Sequence, residues 1–216
     1  MLKFNVDTGE HIEIAALEAD NQITRSNDGR ADPWGGFWIG TMGCNAEPDA
    51  GAIYRLYRGE LRQLYTPITI SNAICFSPDK RYAYFTDTPT QKVMRQSLNP
   101  QDGWPDGDPV IWLDLAQKDW RPDGAVVDAD GNIWIAIWGG SGVVCFSPDG
   151  TFLRKEKFEA AQTTCPAFGG ADLRDLYCTS AAQGLGNDAL ATHPDSGKTF
   201  MRKNVTQGQR EHQVIL

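Results

Sequence analysis

Four segments of this chain share one pattern: turn residues, a short apolar run and a central aromatic. They occupy residues 32–41, 77–86, 128–136 and 170–179, and their anchor aromatics, Trp38, Tyr84, Trp134 and Tyr177, fall 46, 50 and 43 residues apart. A period of this size holds about four short strands, which is the signature of a β-propeller blade. Outer hairpins are expected at 52–57 into 61–65 and at 143–146 into 152–158, turning at Arg58-Gly59-Glu60 and Ser147-Pro148-Asp149-Gly150. Residues 91–95 and 188–193 are assigned to the same strand slot in their own repeats. Loops are expected at 99–109 and 181–186. No helical stripe exceeds a turn or two, which argues against α/β layering.

The reading is therefore an all-β, single-domain β-propeller over residues 1–216, with four repeats in 21–216. Residues 1–20 are left over as a hairpin of a preceding blade, with strands around 2–6 and 12–17. A propeller closes on itself so that every sheet is covered by its neighbours. About four and a half blades are present, so one and a half are expected to be missing at the N-terminus. The open blade faces are expected to make the chain poorly soluble or oligomeric.

Charge and cysteine usage narrow the function classes. The chain has 28 acidic and 20 basic residues, a formal net charge of -8, which argues against nucleic acid as a partner because phosphate binding needs clustered Lys and Arg. Its 5 cysteines include no Cys-x-x-Cys pair, so neither a disulfide framework nor a zinc site is suggested, and reduced, mostly buried thiols in a cytoplasmic protein are expected. No signal segment opens the chain, and no apolar stretch approaches the roughly 20 residues that cross a bilayer, so no membrane association is expected.

In a propeller the innermost strand of each blade lines a central channel, so residues at one offset from the anchors converge on the axis. Asn27 lies 11 residues before Trp38, Asn72 12 before Tyr84, Asp123 11 before Trp134 and Cys165 12 before Tyr177. Two amides and a carboxylate suit a hard divalent cation, Ca²⁺ first, with Zn²⁺, Mn²⁺ or Mg²⁺ as other candidates. The other reading is that these side chains cap turns ahead of the strands. Asp123, just ahead of an apolar strand, is taken as the reactive centre. Trp138 with Gly139 and Gly140 either walls a sugar pocket or belongs to the core.

Competing motifs fail. The acidic run 128–132 starts like an EF-hand loop, but Ile133 stands where Gly is needed and Gly139 where Glu is needed, so it is read as a turn. His11, His193 and His212 form no metalloprotease motif, and no nucleophile elbow, phosphate loop or dinucleotide fingerprint occurs.

Residues 25–42, 70–79, 122–134 and 166–173, in this order and spacing, resemble the SMP-30/gluconolactonase/regucalcin family. The likeness runs through the closing segment 208–216. It implies a six-bladed propeller that binds one divalent cation in its channel and opens sugar lactones to aldonic acids. By this resemblance Asn72 and Asp123 are metal ligands, Asp123 is also the general base, and Arg25 and Asn27 contact the substrate or bound water. The family's third ligand, a Glu in a Glu-Gly-Pro motif, has no counterpart here; Glu18, at the end of a hairpin, stands in the wrong context. A non-catalytic metal-binding or interaction propeller is the alternative, and a propeller hydrolase acting on other esters is a third reading.

Overall fold

Period-2 alternation decides how these strands pack. In a computed structural model describing residues 1–216, adjacent residues of one strand serve different cores. Ala125, Val127, Ile133, Ile135 and Ile137 join one apolar cluster, whereas Val126, Trp134 and Ala136 join the next. Both faces of such a sheet are covered, so its strands read as continuous apolar runs rather than as alternating ones. This is how blades stack around an axis.

The first blade comprises β3 (Thr24–Ala31), β4 (Phe37–Gly43), β5 (Gly51–Tyr57) and β6 (Glu60–Ile68), after a separate hairpin of β1 (Leu2–Phe4) and β2 (His11–Glu13). The second comprises β7 (Ser71–Phe76), β8 (Tyr82–Asp87), β9 (Lys92–Ser97) and β10 (Val110–Asp114). The third comprises β11 (Arg121–Val127), β12 (Ile133–Trp138), β13 (Gly142–Phe146) and β14 (Phe152–Lys157). The last comprises β15 (Gln162–Gly169), β16 (Asp175–Ala181) and β17 (Phe200–Arg202). All pairings are antiparallel meanders.

Three apolar clusters glue the blades in sequence. Trp38 and Ile53 of the first blade meet Ile74, Phe76 and Phe85 of the second. Tyr84 and Val93 of the second meet Ile133 and Ile135 of the third. Trp134 and Val143 of the third meet Leu176 and Cys178 of the fourth. The anchors Trp38, Tyr84 and Trp134 are at most 2% exposed, so the aromatic that marks each repeat is the plug between neighbouring sheets.

Two expectations need correction. Residues 188–193 are not a strand: Asn187–Thr192 is an α-helix, α1. The run Asp188-Ala189-Leu190-Ala191 combines good helix formers with an acid in the first turn, so the third strand of the last sheet falls later, at β17, and that sheet has three strands. The expectation that the thiols are mostly buried holds for Cys75, Cys145 and Cys178, whereas Cys44 and Cys165 are exposed; all five are free.

The turn acids behave as turn acids. Asp128 is fully buried, and its carboxylate accepts from the backbone N–H groups of Asp130 and Asn132 and from Trp134 Nε1 at 2.9 Å. Asp32 does the same for Trp34 and Gly36, and its second oxygen pairs with the buried Arg55 at 2.7 Å. Arg55 is sandwiched against Tyr57 and Trp104, 4.3 and 4.5 Å from their ring centroids.

The closing segment crosses the far ends of the inner strands. Gly208 N–H donates to Leu173 O, Gln209 Nε2 to Val127 O and Ile215 N–H to Gly35 O. Between these contacts Glu211 pairs with Arg30. Arg30 itself lies on β3 and reaches across the axis, donating to Ile74 O on β7 at 3.0 Å and to Ala125 O on β11 at 2.7 Å. One guanidinium thus ties three blades and the tail together.

Candidate functional site at the channel mouth

The four offset-matched residues lie inside the innermost strands rather than just ahead of them, which corrects the expectation for Asp123. Each of the four strands has a break in register at the same height: between Ser26 and Gly29, Asn72 and Cys75, Pro122 and Ala125, and Thr163 and Pro166. A bulge leaves residues unpaired and re-aims side chains. Here Asn27, Asp123 and Cys165 fall in the bulges, and Asn72 falls at the last pair before one. The repetition of a local defect builds the site.

Crowding at the axis explains the neighbouring residues. A Cβ on Gly124 would come within 2.8 Å of both Cys165 Sγ and Thr164 O, so the approach of β15 to β11 requires glycine after Asp123. Ala73, fully buried after Asn72, takes φ 54°, a left-handed conformation unusual for a residue with a Cβ and one found where a site over-determines its backbone.

Arg25, Asn27, Asn72, Asp123 and Trp138 line one cavity of about 520 Å³. A directed hydrogen-bond chain links three blades along its wall. Arg25 Nη1 donates to Asn27 Oδ1 at 3.1 Å, Asn27 Nδ2 donates to Asn72 Oδ1 at 3.1 Å, and Asn72 Nδ2 donates to Thr88 Oγ1 at 2.9 Å. The Thr88 hydroxyl donates onward to Pro122 O at 2.7 Å. A carbonyl can only accept, so the hydroxyl must receive from Asn72, which fixes the amide with its oxygen away from Thr88.

Asp123 is half-buried and its carboxyl is pushed up to about 7, first by burial and then by the nearby Asp28 carboxylate, with the Gly124 N–H pulling slightly the other way. Asp28 is itself raised by burial, although it accepts from Ile74 N–H at 2.8 Å. Two carboxyls thus sit close together in a desolvated place, with Arg30 offsetting part of the cost at Asp28. Cys165, the fourth offset position, presents a thiol and no oxygen.

The Asp123 carboxylate and the Asn72 amide oxygen are hard donors and suit a divalent cation in kind. In number the set is short, since no group of three or more His, Cys, Asp or Glu is placed to hold an ion. Glu18 does not line the cavity. Its carboxylate accepts from Thr24 Oγ1 at 2.5 Å, Thr41 Oγ1 at 2.9 Å and Tyr54 OH at 2.7 Å, which fastens the segment after the first hairpin to the first blade.

Thr88, Gln91, Arg121 and Gln183 also line the cavity, and sequence reasoning did not find them. Thr88 sits in a 3-10 turn and Gln183 in a loop, outside any repeat offset. Arg121 opens β11, two residues ahead of Asp123, and matches no repeat offset. Trp138, left open between core and pocket wall, is half-exposed on the cavity.

Residues 1–182 match the model of the SMP-30/Gluconolactonase/LRE-like region. The chain belongs to this family. A relative from Rhizobium meliloti (strain 1021) that carries a provisional sugar lactone lactonase name is 50% identical, over 87% of this chain and 63% of its own. A 6-deoxy-6-sulfogluconolactonase of Pseudomonas putida is 37% identical, over 88% of this chain and 67% of its own. The chain thus spans only about two thirds of the length of these curated relatives. The crystal structure of a calcium-binding protein, regucalcin, from Agrobacterium tumefaciens superposes with a TM-score of 0.96 at 40% identity, covering 100% of this chain and 73% of that one. The β-propeller architecture is shared. No helix is long and apolar enough to cross a membrane.

Proposed function

We propose that this site hydrolyses sugar lactones to aldonic acids, with Asp123 as general base. The observation that carries the reading is the meeting of Arg25, Asn27, Asn72 and Asp123 in one cavity, with the only carboxyl among them poised near neutrality. A base works best when its pKa lies near the operating pH. Asp123 takes the proton from the water that attacks the lactone carbonyl and returns it to the ring oxygen as the C–O bond breaks. Arg25 and Asn27, held by one another, orient ring hydroxyls, and Trp138 offers an apolar wall to the ring face.

Asn72 and Asp123 would hold a divalent cation, Ca²⁺ or alternatively Zn²⁺, Mn²⁺ or Mg²⁺. When bound, it would polarise the lactone carbonyl. The lactonase names of the relatives support a small sugar lactone as substrate, and the calcium-binding regucalcin neighbour supports the cation.

The test is acid release in a pH-stat over a panel of aldonolactones, with and without added Ca²⁺, Mn²⁺ or Zn²⁺. Asp123→Asn should lose about 10²- to 10⁴-fold in kcat; wild-type rates in that variant would overturn the assignment. The shortage of acidic ligands favours a second reading, a propeller that binds a cation without turnover. Retained cation binding with no acid release on any lactone would select it.

A further inference from the structure

Three charged side chains line the cavity: Asp123, Arg25 and Arg121. The other polar liners are neutral amides and a hydroxyl. Arg25 is committed, since its Nη1 donates to Asn27 Oδ1 and Ser26 O. Arg121 is not. It opens β11, is exposed, and takes part in none of the chain's ion pairs, all of which use other cations.

Register gives Arg121 its place. It stands opposite Trp138 in the β11–β12 pair, so both side chains rise from the same face, and both reach the cavity. Two residues of extended strand, about 6.6 Å, separate Arg121 from Asp123, which is on the scale of one sugar ring. A lactone with its carbonyl at Asp123 and its ring on Trp138 therefore directs its far carbon at a free guanidinium. On a chain of net charge -8, a guanidinium without an acidic partner on a cavity wall is an anion-seeking group, and its planar fork matches an oxyanion in bidentate fashion.

We propose that Arg121 binds an anionic substituent, a phosphate, sulfonate or carboxylate, on the lactone carbon farthest from the ring carbonyl, so that the preferred substrates are acidic sugar lactones. This rests on the lactonase reading for the pose but not for the binding of the anion. Charge-assisted hydrogen bonds of this kind are worth about 10- to 100-fold in affinity.

The experiment compares kcat/KM for a hexonolactone and its 6-phosphate, 6-sulfonate and 6-carboxylate counterparts, in wild type, Arg121→Gln and Arg121→Lys. Wild type should favour at least one anionic lactone by about 10- to 100-fold, Arg121→Gln should bring that ratio to within about threefold of one, and Arg121→Lys should keep part of it. A wild-type ratio at or below one for all three anions, or a ratio unchanged in Arg121→Gln, overturns the proposal while leaving the lactonase reading intact. Calorimetry with sorbitol 6-phosphate and sorbitol, which cannot be hydrolysed as lactones, gives a reading independent of turnover. If no lactone is opened but wild type binds the phosphate ester about tenfold or more tightly than sorbitol and Arg121→Gln does not, the anion site stands and the lactonase reading falls. Equal binding of the two in wild type counts against the anion site.

Discussion

Asp123→Asn should stabilise the protein at alkaline pH while removing its activity, and the structure sets the size of the effect. The Asp123 carboxyl is pushed up to about 7 in the fold, against its ordinary 3.8. Each pH unit between two such values is worth 1.36 kcal/mol, so the ionised form is disfavoured in the fold by about 4 kcal/mol, reduced to ~2–4 kcal/mol because the cavity admits water. Because the folded pKa is the higher, the native state retains a proton that the unfolded chain has released. Stability therefore falls as pH rises from about 4 to 7 and levels off above that. The isosteric amide never ionises and escapes the loss. Thermal melts of both proteins with a chelator present should coincide near pH 4 and diverge by ~4–16 °C in favour of the variant at pH 8, at 2–4 °C per kcal/mol for a chain of this size. Saturating Ca²⁺ should shrink or reverse the gap by stabilising wild type alone. A variant less stable than wild type by the same amount at pH 4 and pH 8 would refute the argument, because it would mean that the carboxylate is satisfied within the fold.

Two further substitutions test the frame around the site. Asp32→Asn strands the buried Arg55, whose Nη1 already lacks a partner, and should cost ~3–5 kcal/mol; a denaturant melt showing less than 1 kcal/mol would mean that water reaches the guanidinium. Gly124→Ala would place a Cβ 2.8 Å from Cys165 Sγ and Thr164 O, forcing the third and fourth blades apart at a cost of ~1–3 kcal/mol and displacing Asp123, with activity reduced about tenfold or more. Adding Cys165→Ala relieves the sulfur contact but not the carbonyl contact, so rescue should be partial, and full rescue would show that the backbone approach does not matter.

The propeller was legible because its packing leaves a one-dimensional trace. Trp38, Tyr84 and Trp134 each fill the gap between sheets, and a gap that recurs in space recurs in sequence. The same regularity located Asn27, Asn72 and Asp123, since a bulge at a fixed height imposes a fixed offset from the anchor. What the repeat did not govern stayed hidden. Thr88, Gln91 and Gln183 reach the cavity from turns and loops whose paths depend on tertiary contacts, and Asp28, which helps to raise Asp123, is one residue away from the aligned position. The α1 assignment failed for a local reason: the repeat gave residues 188–193 a strand slot, while Ala-Leu-Ala after an acid favours a helical turn.

The tail that crosses the far ends of the inner strands, with Glu211 clasped by Arg30, covers that end of the channel. Arg25, Arg121 and Gln183, all exposed, stand around the cavity mouth away from the tail. On the lactonase reading, the lactone and the aldonate formed from it would share this cavity mouth. A newly made carboxylate would then pass Arg25 and Arg121 on its way out, so added aldonate should compete with the lactone and slow turnover without any second regulatory site.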